Sequence, residues 1–431
     1  MVVIDWPKYP FFVSILSPIR VIIMSEIFQQ AQTLIPGGVN SPVRSPASLG
    51  LKSPLYFTHA NGAIIYNHDQ PYIDYQNGFG TEILGHNHPH IKAAIQASKD
   101  KSLPAGICHQ GEITLARLIQ QACPAAEKIR FCVSGTESCM TALRLAQHHT
   151  KRSGFVTIDG GYHGHSEPYL SNPLHMKVPF NDIEALATCL HNHPSCAALV
   201  IEPIPGNMGM IKPHPEYLKQ VRRLCDEAGV CLIADEVMTG FRCQYGTVIE
   251  AHGVVPDLIC LAKVIGGGLP LACVAGKKEI MDTLSPIGPV AHAGTYASLT
   301  TCIDAGCAAL SYLTDHHYDQ MNAYTKELTH SLEKIAKAAG IPLTTNHQGG
   351  MWSLFFSERP ITKRSDIPSS HNTFFQAFYP LMLAEGIFLP PASAESFFIT
   401  TSHQDVHLQH TLQAAEKAFK EIAKTMLVNT H

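Results

Sequence analysis

Through the middle of the chain, short apolar runs alternate with longer stretches of mixed polarity. Residues 129–133, 155–158, 197–202, 230–235, 258–262 and 272–276 are nearly continuous in their apolar character. That pattern suits strands buried on both faces of a parallel sheet. Between them, residues 137–151 and 215–228 carry apolar positions at helical spacing. Strand and helix in alternation predict an α/β fold with an open, mostly parallel sheet. Ligands of such sheets bind beyond the carboxyl ends of the strands, so the residues that close each apolar run are the ones to watch.

From about residue 316 the texture changes. A long polar helix over 318–339 precedes a strand over 351–356, a helix over 373–385, a strand over 397–401 and a closing helix. This predicts a smaller α+β domain over 316–431 beside a large domain over 71–315, with the segment 24–70 packed against the smaller one. A chain of 431 residues exceeds what one core usually organises, in keeping with two domains. Residues 1–23 stand apart. Their apolar run, 9–19, is only 11 residues long and contains Pro10 and Pro18. It is too short to span a membrane, and it lacks the basic start and small-residue cleavage site of a signal peptide. Met24-Ser25-Glu26 resembles a natural start, so 1–23 is expected to be a leader outside the fold.

Composition narrows the field. With 45% hydrophobic and 15% charged residues, a net charge of −4 and no basic cluster, the chain offers no surface for nucleic acid or anionic membrane. Thirteen cysteines are scattered without a C-x-x-C pair, which reads as reduced thiols in the cytoplasm. The 25 histidines, including His86, His88, His90, His163 and His165, show no metal-ligand spacing and read as solvated or hydrogen-bonded, so no metal is expected.

Three strand ends carry candidate chemistry. Ser134-Gly135-Thr136-Glu137 has the form of a capping box opening a helix. It reads either as a plain cap or as a phosphate cradle of free amides and hydroxyls at a positive helix end. Asp235 closes the fourth run, as a cap or as the partner of a cationic ligand. Lys263 follows the fifth run and precedes Gly266-Gly267-Gly268. A lysine at the edge of an apolar strand is partly desolvated, which favours the neutral amine that condenses with aldehydes. Cradle, acid and lysine together meet the needs of pyridoxal 5'-phosphate: its phosphate, its pyridine nitrogen and its aldehyde.

These motifs resemble the signatures of the class III aminotransferases, which are fold-type I pyridoxal-phosphate enzymes. Within that group the chain is most similar to the glutamate-1-semialdehyde 2,1-aminomutase family, over a span from about Met24 to the C-terminus. The residues that carry this are Ile35-Pro36-Gly37-Gly38-Val39-Asn40-Ser41-Pro42-Val43-Arg44, Ile83-Leu84-Gly85-His86, Tyr162-His163-Gly164-His165-Ser166, Glu202-Pro203 with Gly206-Asn207-Met208-Gly209, and Asp235 through Arg242. Gly37–Arg44 is the most discriminating stretch.

The resemblance implies a role for each position. Lys263 holds the cofactor and moves protons, while Asp235 keeps the pyridine nitrogen protonated. Val237 and Tyr162 cover the two ring faces, with a core tyrosine as the alternative for Tyr162. Gly135 and Thr136 hold the phosphate with Ser134 nearby, and Asn207 contacts the hydroxyl side. Thr295, beside Gly294, reaches the phosphate of a partner subunit, which implies a homodimer. Ser41 and Arg44 approach the substrate, Arg44 gripping its carboxylate as a bidentate pair. Read from composition alone, Arg44 is a surface arginine in a proline-rich loop. Glu395 lies at the mouth of the site. The implied activity is an isomerase reaction, intramolecular amino transfer from (S)-4-amino-5-oxopentanoate to 5-aminolevulinate in tetrapyrrole synthesis, with the cofactor resting as pyridoxamine 5'-phosphate. An intermolecular ω-aminotransferase and a catalytically weak cofactor-binding protein are the alternatives. The chain departs from the pattern twice: Phe79 stands where tryptophan is usual, and Tyr296-Ala297-Ser298 replace the usual turn after Thr295.

Overall fold

The computed structural model describes residues 18–49 and 51–428. Most of the proposed leader, residues 1–17, lies outside that range, and residues 18–23 form the start of a helix, Pro18–Leu34, that runs on past Met24.

The centre of the molecule is a seven-stranded sheet. Its strands in chain order are β1 (Lys128–Cys132), β2 (Gly154–Ile158), β3 (His175–Val178), β4 (Cys196–Ile201), β5 (Cys231–Asp235), β6 (Leu258–Leu261) and β7 (Ala272–Gly276). Across the sheet the order is β1-β7-β6-β5-β4-β2-β3. Six strands run the same way, and β7 alone is antiparallel to both its neighbours. All six apolar runs are therefore strands. Strand β3 was not anticipated, because His175-Met176-Lys177-Val178 is half polar, as befits a strand at the sheet edge. Strands β2, β4, β5, β6 and β7 are buried along their whole length, with Val156, Leu199 and Leu232 in one apolar cluster and Phe155, Ala198 and Ile233 in another. Helices cover both faces, as their two-sided burial requires.

Two smaller sheets flank this body. In one, Ile387–Phe388 pairs in parallel with Gln70–Asp74, beside Ile64–Asn67 and His59–Asn61. Residues before 75 thus share a sheet with residues after 380. The other joins Thr344–Gln348, Met351–Phe355 and Phe397–Phe398. A large core cluster takes Tyr75, Trp352, Phe397 and Phe419 from these parts together with Ile259 and Cys273 of the central sheet. Arg242, fully buried, ties the pieces together by donating to the carbonyls of Gly80 (2.6 Å) and Ile399 (3.0 Å).

Candidate active site

The parallel strands end together at one edge, and there they frame a cleft of about 350 Å3. Its wall includes Ser134, Gly135 and Thr136 after β1, Tyr162 and His163 after β2, Glu202 after β4, Asp235 and Val237 from β5, and Lys263 after β6. The topology thus gathers residues more than a hundred positions apart.

The β1 end forms the Ser134 half of the capping box expected, while the Glu137 side chain reaches back one residue further, to Val133. Ser134 Oγ accepts from the Glu137 amide at 3.2 Å, and Glu137 Oε2 accepts from the Val133 amide at 2.9 Å. The amides of Gly135 and Thr136 stand in the first turn of the Gly135–Thr150 helix, where no intrahelical acceptor exists, so they face the cleft as donors to an anion. The cradle is tight. A Cβ at Gly135 would come within 2.9 Å of Val237, and one at Gly164, whose φ is +90°, within 2.5 Å of Thr136. Both positions need glycine to let the backbone approach this closely.

At the far end, Asp235 is held on three sides. Its Oδ1 accepts from the Val237 amide (3.1 Å), and its Oδ2 accepts from His163 Nδ1 (2.7 Å) and the Cys139 thiol (3.2 Å). Burial opposes the His163 imidazolium, but the bond to Asp235 outweighs it and raises the His163 pKa. Glu202 accepts from the amides of Tyr162 (3.1 Å) and Gly206 (3.2 Å), and burial lifts its carboxyl to about 7. Donor atoms of Cys139, His163 and Asp235 lie within 4.8 Å of one another, although each is engaged in the hydrogen bonds just given.

Lys263 opens the short turn Lys263–Gly266 with a φ of +53°, a left-handed conformation that is costly for a side chain of this size. Burial lowers its pKa, while Asp235, Glu202 and Glu395 pull the other way. Glu395 is raised to about 7 by burial, with Lys263 as the opposing influence. The Asn207 amide, with its nitrogen turned to the acid, donates to both Glu395 oxygens at 3.0 Å.

The remaining sequence candidates lie elsewhere in this chain. Ser41 is half-buried and Arg44 exposed, both in the Pro42–Arg44 turn or next to it, and neither lines the cleft. Phe79 is half-buried with a φ of +54° in the turn after Gln70–Asp74, also off the cleft wall. Gly294 and Thr295 are exposed, and neither lines the cleft of its own chain. Sequence reasoning passed over His163 as a site residue and did not single out Cys139. The signal for Cys139 was present: it lies one helical turn after Thr136, on the same face.

The site offers an anion cradle, a buried acid and an amine of lowered pKa facing one space, which fits pyridoxal phosphate. The model of the aminotransferase class-III family matches residues 48–178 and 168–419, and the chain belongs to that family of fold-type I enzymes, whose cofactor is pyridoxal 5'-phosphate. Among solved structures it is similar to an ω-transaminase from Sphaerobacter thermophilus, at 26% identity and TM-score 0.86 over 93% of this chain and 98% of that one. A β-phenylalanine aminotransferase from Variovorax paradoxus matches at 25% identity and TM-score 0.84, over 92% and 93%. A glutamate-1-semialdehyde aminomutase from Pseudomonas aeruginosa shares the fold at 19% identity and TM-score 0.83, over 93% and 94%.

Proposed function

We propose that the protein moves an amino group within one small substrate, converting (S)-4-amino-5-oxopentanoate to 5-aminolevulinate. The observation that carries this reading is the Asn207–Glu395 pair beside Lys263. An intramolecular transfer passes through a species with two amino groups, so the site needs a second group that receives a cation. Glu395, once ionised, is such a group, and Asn207 fixes where its oxygens point.

Bound pyridoxal phosphate supplies an electron sink for charge left when a proton leaves the substrate carbon. Asp235, held by His163 and Val237, keeps the ring nitrogen protonated. Lys263 Nζ carries protons between the two substrate carbons, and its lowered pKa leaves more of it in the neutral form that can accept them. Ser134, Gly135 and Thr136 hold the phosphate, and Val237 and Tyr162 cover the ring. The test is 5-aminolevulinate formation by purified protein without any added amino donor. No product under those conditions, with product appearing once a separate amine is supplied, would overturn the reading.

The second reading, an intermolecular ω-aminotransferase, is favoured by the higher identity to the Sphaerobacter transaminase and by the exposed position of Arg44. A protein that binds the cofactor without turnover would show no absorbance change when either substrate is added.

A further inference from the structure

Asp235 has a second buried donor besides His163. Cys139 projects from the first turns of the Gly135–Thr150 helix, is 1% exposed, and sets its sulfur 3.2 Å from Asp235 Oδ2. Two groups from different elements, a thiol from the helix and an imidazole from the segment after β2, therefore converge on one carboxylate oxygen. The other oxygen takes only the Val237 amide and keeps room for a donor from the cleft. We propose that Cys139 is a positioning residue for the amino-transfer reaction: its S–H donates to Asp235 Oδ2 and so keeps Oδ1 directed at the cofactor's ring nitrogen. This rests on the assignment of Asp235 to that nitrogen.

The physical argument concerns where one proton resides. A buried carboxylate without donors is costly to ionise, and the group tends to take up a proton instead. If Asp235 took the proton from a ring nitrogen, the ring would lose its positive charge and much of its capacity to accept electrons. Each hydrogen bond donated to Oδ2 works against that transfer. The thiol is suited to the task because it stays protonated. The neighbouring Cys260 thiol, then burial, then the Asp235 charge keep the Cys139 pKa well above the ordinary thiol range. Cys260 belongs to β6, three residues before Lys263 and beside the end of β5 that carries Asp235.

The experiment compares Cys139→Ser, which keeps a donor, with Cys139→Val, which keeps the volume and removes it. The readouts are the affinity of the apo-protein for pyridoxal phosphate and the pH at which the visible absorbance of the bound cofactor titrates. Melting temperature of the apo-protein confirms folding. Cys139→Val should weaken cofactor affinity on the order of fivefold or more, as expected for loss of one hydrogen bond to a charged group, and should move the spectral titration. Cys139→Ser should stay near wild type in both. Equal behaviour of the two variants, whether both normal or both impaired, overturns the role of the S–H. If wild-type protein bound no pyridoxal phosphate, the fault would lie with the cleft assignment and not with Cys139.

Discussion

Lys263 combines a left-handed backbone, an interior position and three acids within electrostatic reach, and each bears on its reactivity. Borohydride reduction of the protein loaded with the pyridoxal form of the cofactor is expected to fix the cofactor's mass to the peptide carrying Lys263. Recovery of the label on Lys277 or Lys278 would remove the lysine from its assigned role. Asp235 invites a second measurement. Asp235→Asn keeps the shape but loses the charge, and activity should fall about 100-fold or more, the scale of electrostatic stabilisation in a closed site. A rate near normal would mean that another group partners the ring nitrogen. Arg44 decides between the two functional readings. If its guanidinium grips a substrate carboxylate, Arg44→Lys should lower kcat/KM about tenfold or more, because the ammonium cannot form the paired fork. Cofactor absorbance should not change in that variant. Unaltered kcat/KM for (S)-4-amino-5-oxopentanoate would shift the balance to the intermolecular enzyme.

At the scale of elements, the connection after β5 shows how burial stores a pH response. Glu236, next to Asp235 but turned away from the cleft, is fully buried, accepts from the Thr239 hydroxyl and from the Ile249 amide at 2.8 Å, and is lifted by burial to about 7. Its carboxyl stays protonated in the folded protein at pH values where the unfolded chain, near 4.5, has already released the proton. The stability it contributes is complete below that value and is lost as pH rises through about 7. The melting temperature of wild type should therefore decline over that interval more than that of Glu236→Gln; parallel curves would show that Glu236 does not titrate there. Elements also show what was legible in advance. Two-sided burial writes itself into sequence as apolar runs, so 197–202 and 258–262 stand out as strands and their last residues as site candidates. Edge position does not, and β3 escaped notice because Lys177 and His175 face the surroundings of a sheet margin. The turn Asn77–Phe79 escaped as well. Its three successive positive φ values are held by near neighbours, Asp74 Oδ1 accepting from the Gln76 and Asn77 amides (2.8 and 2.9 Å) and Gln76 Oε1 from the Gly78 amide (3.0 Å), a side-chain arrangement that hydrophobic patterning does not register. The convergence of Cys139 and His163 on Asp235 is a product of three elements meeting, not of any motif.

For the whole molecule the open matter is how the two ends of the site are supplied. Lys263 faces the cleft of its own chain, whereas Gly294, Thr295 and Tyr296 lie exposed and off that cleft, Tyr296 at 63% exposure. A large aromatic left in solvent beside a threonine assigned to phosphate suits a face that a second copy covers. If the protein is a two-fold dimer in which Thr295 completes the partner's cradle, loss of Lys263 and loss of Thr295 fall on different sites of the same dimer. Suppose Lys263→Ala protein and Thr295→Val protein, each poorly active alone, are mixed and allowed to exchange subunits. In the mixed dimer one site carries both lesions. The other carries neither, since it takes Lys263 from one subunit and Thr295 from its partner. Random exchange makes half of the dimers mixed, and one of their two sites is intact, so activity should recover to about a quarter of wild type. If Thr295 serves its own subunit, every site in the mixture keeps a lesion and activity stays at the level of the separate variants. The same samples run through size-exclusion chromatography with light scattering report the mass directly, and a monomer there would exclude the shared site whatever the activity.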